Sequence, residues 1–218
     1  MDTRPRHGER VLEAGEPLQR AGAAMILVHG RGATAEDIML LGGELLLPGF
    51  ACVAPQAAGS SWYPRRYADP IESNEPWLSA ALQMLDELLA RVETAVPASR
   101  VVLLGFSQGA CLTLAFAARG ARRYGAVVGL SGALIGPPGT PRDYAGSLSG
   151  TPVFLGCSDH DPHVAAADVV AAGRTLRRLG GEVTVRLYPG LGHAVDVDEI
   201  AQVRGLLAAI RPETDEDP

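Results

Sequence analysis

The stretch that decides the fold is "LLGFSQGACL", Leu103 to Leu112. A run of Val and Leu ends at Gly105-Phe106-Ser107-Gln108-Gly109 and resumes as a small-residue, apolar helical sequence. A chain that passes from strand to helix over so few residues turns very sharply, with one serine between two glycines at the turn. Two accounts fit this stretch alone. In one, Ser107 is displayed as a nucleophile at the head of a helix whose N-terminal amides favour developing negative charge. In the other, the glycines merely allow a tight corner.

Around this turn the apolar segments alternate in kind. "AAMILVHG" (23–30) and "FACVAP" (50–55) are short continuous apolar runs, expected as strands buried on both faces. Between them "ATAEDIMLLGGELL" has helical character, with Thr34 as N-cap and Asp37 completing an acidic capping box. A further helix is expected from Pro76 as first helical residue, with Leu78, Leu82, Leu85, Leu88, Leu89 and Val92 on one face. Beyond the serine, a helix closed by Gly120 is followed by strands at 125–132, 151–157 and 182–190 and helical stretches at 164–179 and 197–210. This order predicts an α/β fold, a mostly parallel sheet with helices on both faces. The segment between 130 and 152 is Pro- and Gly-rich and too short for a separate cap domain. A site at the strand ends is therefore expected to be open, covered only by that loop and the one at 56–75.

Composition bounds the partners. The 218 residues are 47% apolar and 20% charged, the balance of an ordinary globular protein. One domain over 1–210 is expected, with "RPETDEDP" (211–218) a disordered acidic tail. The net charge of −6 disfavours nucleic acid, which needs a basic face. No run approaches the roughly 18 apolar residues of a membrane span, so no stable membrane insertion is expected. "MDTRPRHGER" lacks the apolar core of a signal peptide, which points to the cytoplasm. Cys52, Cys111 and Cys157 are odd in number, without CxxC spacing, and are expected as reduced, buried thiols. No cofactor is implied, and the sequence, which leaves room for a homodimer, specifies no oligomeric state.

A serine hydroxyl needs a base, itself oriented by a carboxylate, and on a strand–helix turn of this kind the chain order is Ser, acid, His. His193, in the Gly-rich loop "YPGLGHAVD", has the position expected of that base. The acid is expected after "PVFLGC", where "SDHDPH" offers Asp159 and Asp161. Pro162 restrains the residue before it, which favours Asp161. A metal reading of "DHDPH" is disfavoured, because four ligands packed into five loop residues cannot easily surround one ion. His160 and His163 are then exposed loop residues. The oxyanion requires two backbone donors, expected from Gln108 and from Arg31 in "VHGRGAT" (28–34), with His29 structural beneath that loop.

The blocks "LVHGRGA", "APQ", "GFSQGACLTL", "LSG", "DHDP" and "YPGLGH" resemble those of the phospholipase/carboxylesterase family of α/β-hydrolases, over residues 24 to 207. The resemblance implies an α/β-hydrolase fold, Ser107 as nucleophile, Asp161 as acid and His193 as base. It also implies an oxyanion hole from the Arg31 and Gln108 amides. The implied activity is hydrolysis of a small-molecule carboxylic ester. Alternatives are a lysophospholipase or acyl-thioesterase with the same triad, and a silent ligand-binding homologue. This chain has Arg31 after His-Gly, "SSWYPRRY" in the first long loop, and "DPHVA" where relatives have an apolar pair and Pro after Asp-Pro. Trp62 and Tyr63 are expected to supply flat apolar surface to substrate. Arg31, Arg65 and Arg66 could gather positive charge there, which suits an ester with an anionic group unless these are simply solvated charges.

Overall fold

The computed structural model describes residues 5–210; the expected acidic tail, 211–218, lies outside them. Among the described residues seven strands form one sheet. They are β1 (Val11–Gly15), β2 (Ala23–Val28), β3 (Phe50–Pro55), β4 (Val101–Phe106), β5 (Ala126–Leu130), β6 (Pro152–Ser158) and β7 (Glu182–Tyr188). Their spatial order is β1-β3-β2-β4-β5-β6-β7. β1 is antiparallel to β3 and every other pairing is parallel. The helices are α1 (Ala35–Leu45), α2 (Trp77–Glu93), α3 (Gln108–Arg119), α4 (Ala166–Arg178) and α5 (Val197–Ile210). None of these helices is long and apolar enough to cross a membrane.

The period-2 geometry of the central strands builds the two cores. Ala24, Ile26, Val28, Val101 and Leu103 point to the side covered by α2, α3 and α4. Ala23, Met25, Leu27, Val102 and Leu104 point to the side covered by α1 and α5. Strands that must satisfy both cores have no polar face, which is why they appear in the sequence as uninterrupted apolar runs. α3 is buried at every position from Gln108 to Ala118, consistent with its apolar, small-residue sequence.

The capping box at Thr34 is present in full. The Thr34 hydroxyl accepts the Asp37 amide, and the Asp37 carboxylate accepts the Thr34 N–H at 2.8 Å. One local expectation is corrected. Pro76 is the N-cap of α2 rather than its first helical residue. β7 forms the sheet's outer edge, and every residue of it keeps some exposure. β1 was not anticipated, because "VLEAG" is an edge strand held by backbone pairing to β3 and lacks an apolar run.

Candidate active site

All the candidate residues leave the carboxyl ends of parallel strands, where an α/β sheet gathers its loops. Ser107 follows β4 directly and has φ 55° and ψ −120°, a backbone conformation an L-residue holds only under constraint. The constraint is visible. The Ser107 N–H donates to the Leu130 carbonyl at 2.9 Å, and its own carbonyl accepts the Cys111 N–H at 3.0 Å. The flanking glycines admit no side chain. A Cβ on Gly105 would come within 2.4 Å of the Gly109 backbone, and one on Gly109 within 2.1 Å of the Val28 carbonyl oxygen. Both readings of the turn therefore hold together: the corner is sterically required, and it displays the serine.

His193 stands in the loop between β7 and α5, its Nε2 2.8 Å from Ser107 Oγ and its Nδ1 2.6 Å from Asp161 Oδ2. An ionised carboxylate only accepts, so Nδ1 carries the proton and Nε2 is left to accept from the serine hydroxyl. The imidazole packs on Phe106, and His163 meets its face edge-on with ring centres 4.7 Å apart. Asp161 has no exposed side-chain surface. Its Oδ1 accepts the amides of His163 at 2.7 Å and Val164 at 3.0 Å, the Asx-type turn that "DPHV" favours. Burial alone would raise this carboxyl, but the hydrogen bonds from His193, His163 and Val164 outweigh it and hold Asp161 below the ordinary carboxylate value.

Asp159, the other acid in the loop, is turned away from the imidazole. It accepts the Gly190 amide at 2.9 Å and pairs with the exposed His160, so it ties the histidine loop to the acid loop. Ser158 adds a second tie, its Oγ accepting the Gly192 amide at 3.1 Å. Glu199, on the first turn of α5, was not anticipated. It is fully buried against Gly156, takes the Asp196 amide on Oε2 at 2.7 Å, and leaves Oε1 without a partner among the described residues. Burial pushes its carboxyl up to about 7. A Glu six residues past the catalytic-type histidine, most of them loop, gave no periodic signal that could have marked it.

The amides of Arg31 and Gln108 carry no hydrogen bond among the described residues and flank Ser107 from the loop after β2 and from the start of α3. The rest of each residue is used to build the wall. Gln108 Oε1 accepts the Trp62 N–H at 3.0 Å, and its Nε2 donates to the Tyr63 carbonyl at 2.7 Å. Arg31 donates to the carbonyls of Pro64, at 2.9 Å, and Arg65. These bonds pull the 56–75 segment over the strand ends. Tyr67 then anchors it on the far side, its hydroxyl donating to Asp168 and accepting the Ala165 amide.

A cleft of about 220 Å³ opens onto Ser107 and His193. Arg31, Tyr63, Arg66, Tyr67, Gln108, Cys111, His163 and Val164 also line it. Tyr63 is among the lining residues, with nearly all of its surface buried. Trp62 and Arg65 do not line the cleft, which corrects their reading as substrate contacts. The Trp62 ring is fully buried between those of His7 and His29, and its Nε1 donates to the His29 carbonyl at 2.8 Å. The exposed Arg65 enters the loop through its backbone, the amide donating to Asn74. Sequence reasoning missed Tyr67, His163, Val164 and Cys111 as lining. Only Cys111 carried a signal, since a residue four past Ser107 lies on the same helix face.

His29 has the structural place expected of it, donating from Nδ1 to the Gly30 carbonyl and accepting the Ala57 amide on Nε2. Burial holds both His7 and His29 below the usual histidine value. The three cysteines are buried, and burial pushes Cys111 up to about 11 and Cys52 and Cys157 up to about 12, so none is a ready nucleophile. No group of three or more His, Cys, Asp or Glu among the described residues is arranged to hold a metal ion.

A strained strand–helix serine hydrogen-bonded to an imidazole at the carboxyl edge of such a sheet defines the α/β-hydrolase class. Residues 10–210 match the phospholipase/carboxylesterase family model, and the chain belongs to that family of ester hydrolases. A crystal structure of a phospholipase/carboxylesterase from Dyadobacter fermentans is similar over 93% of this chain and 97% of its own, with 38% identity and a TM-score of 0.89. An acyl-protein thioesterase 1 of Cryptococcus neoformans is 24% identical over 88% of this chain and 93% of its own length. One of Gibberella zeae is 27% identical over 122 residues, and that match spans only 50% of the relative's length.

Proposed function

We propose that residues 1–210 form one serine hydrolase domain that cleaves small to medium carboxylic esters through an acyl-enzyme on Ser107. The observation that carries this reading is the unbroken hydrogen-bonded chain from Ser107 Oγ through His193 to the buried Asp161, ending at the cleft. Ser107 Oγ attacks the ester carbonyl while His193 Nε2 takes its proton, and Asp161 stabilises the imidazolium. The carbonyl oxygen, now negative, is received by the Arg31 and Gln108 amides, which have no other partner among the described residues. As the tetrahedral intermediate collapses, the bond to the alcohol breaks and His193 returns the proton to the leaving oxygen. Water then gives its proton to the same nitrogen, attacks the acyl-enzyme, and releases the acid and free Ser107.

The volume of the cleft supports short or medium acyl groups, being below the ~300–1,000 Å³ of sites that enclose drug-sized ligands. The relatives named acyl-protein thioesterase support a second reading, a thioester as substrate, by the same steps with a thiol leaving. A fluorophosphonate probe should label the wild type and not Ser107→Ala. Esters and thioesters graded from acetyl to palmitoyl then separate the two substrates. Absence of labelling on the folded wild type would overturn the hydrolase reading in favour of a silent ligand-binding domain.

A further inference from the structure

The cleft wall is more positive than its surroundings have any structural need for. Arg31 and Arg66 both line it, and no Asp or Glu does. Neither guanidinium pairs with a carboxylate among the described residues. Arg31 spends two of its N–H donors on the neutral carbonyls of Pro64 and Arg65, which fix its position without cancelling its charge. Arg66 is held only by a 3.4 Å contact from its Nη2 to the His163 carbonyl, so most of its planar fork faces solvent at the mouth. Three acids close by in the fold form their hydrogen bonds to other groups, not to these guanidiniums. Asp161 is fully covered and serves His193, His163 and Val164; Asp168 takes the Tyr67 hydroxyl; Asp69 takes the backbone amide of Arg66. On a chain of net charge −6, two guanidiniums that form no ion pair among the described residues and line the same cleft place positive charge beside the reacting centre.

We infer that the substrate is an ester bearing a second, anionic group, a carboxylate or phosphate, which Arg66 receives at the mouth of the cleft while Arg31 supports it electrostatically. This rests on the ester-hydrolase reading of the site and specifies its substrate class. Arg66 is the specificity-determining residue, because its fork is free to match two anionic oxygens. Arg31 is fixed by the loop it ties down. The anion lies on the acyl chain or on the alcohol, and paired substrates distinguish the two.

The experiment compares kcat/KM within matched pairs. Mono-4-nitrophenyl glutarate against 4-nitrophenyl pentanoate tests an anion on the acyl side. Monobutyryl glycerol 3-phosphate against monobutyryl glycerol tests one on the alcohol side. The wild type should prefer the anionic member of one pair by about tenfold, the lower range of a charge-assisted hydrogen bond. Arg66→Gln should remove that preference, mainly through KM, and Arg66→Lys should restore part of it. Arg65→Gln, outside the cleft, should keep it, and about 0.5 M sodium chloride should shrink it. Turnover of neutral esters with no anionic preference in either pair would overturn the inference and leave the hydrolase standing. So would a preference that survives Arg66→Gln or falls equally in Arg65→Gln. Failure to turn over either member of both pairs, together with no fluorophosphonate labelling, would bring down the hydrolase reading itself and this inference with it.

Discussion

The turn that carries Ser107 and the wall that faces it across the cleft both lie at strand ends, yet they are held by different forces. The turn is made by backbone packed against backbone. Gly105 lies against Gly109, Gly109 lies against the Val28 carbonyl, and the Ser107 amide is spent on Leu130. The wall is made by side chains reaching distant backbone, with Gln108 holding residues 62 and 63, Arg31 holding 64 and 65, and Tyr67 bridging to α4. Close packing leaves no alternative residue at each position, so the turn writes itself into a short string of sequence. Long side chains satisfying carbonyls can come from many positions, so the wall does not.

The largest effect that separates these regions concerns the turn's chemistry rather than its shape. Ser107 Oγ makes no fold-supporting bond other than that to His193. Ser107→Ala should therefore lower kcat by about 10⁴ or more while leaving the melting temperature within a degree or so of wild type. Stopped turnover with an intact melt is the expected pair of readings; a large drop in melting temperature would mean the hydroxyl helps build the corner.

Gly109→Ala attacks the shape directly. Its methyl would sit 2.1 Å from the Val28 oxygen and 2.5 Å from that of His29, so β2 and α3 must separate. Destabilisation of about 3 kcal/mol or more is expected in urea unfolding, since backbone cannot yield as a side-chain tip does. A loss below about 1 kcal/mol would show that the turn is looser than its packing implies.

A third contrast lies in the loop that delivers His193. Glu199, on the first turn of α5 just after it, is buried with one oxygen unpartnered among the described residues, and its carboxyl is pushed up to about 7. Its folded value lies above the ordinary 4.5, so the protein gains full stability from protonated Glu199 below about 4.5 and loses it as pH rises through 7. Glu199→Gln should remove this loss, and the variant should be more stable than wild type at pH 8 by roughly 3 kcal/mol, with little difference at pH 4.5. Parallel stability curves for the two proteins across that range would mean the carboxyl is not strained by burial.

The same division explains what could be read in advance. Order of strands and helices, the turn at Ser107, the Thr34 capping box and the Ser–Asp–His order all depend on local pattern or on chain order, and each was visible. Pro162 and the family resemblance together favoured Asp161 over Asp159, and the structure gives the two acids different partners. β1 was hidden because an edge strand carries only one backbone partner and no apolar run. Tyr67 was hidden because long-range bonds to Asp168 and the Ala165 amide bring it to the cleft, and His163 and Val164 because their turn on Asp161 is local but its facing toward the cleft is set by how the loop packs. Trp62 and Arg65 were misread for a related reason. An aromatic or a cation in a long loop looks exposed until its partners are known, and those of Trp62 lie 33 residues before it and further back still, at His29 and His7.

Trp62 also offers the finest test of the wall. Its ring fills the space between His7 and His29, and its Nε1–H satisfies the His29 carbonyl, one peptide from the Gly30–Arg31 amides. Trp62→Phe keeps much of the stacking and removes that donor, leaving a buried carbonyl with one partner fewer. The expected cost is about 1 kcal/mol, or about 2–4 °C in melting temperature for a domain of this size. If the ring is a brace behind the oxyanion loop, kcat should fall by a few-fold at most and KM for short esters should hold, because no substrate atom reaches it. A rise in KM with the melting temperature unchanged would instead return Trp62 to the substrate surface, and the wall would then have to open during turnover far enough to expose a ring that is fully buried at rest.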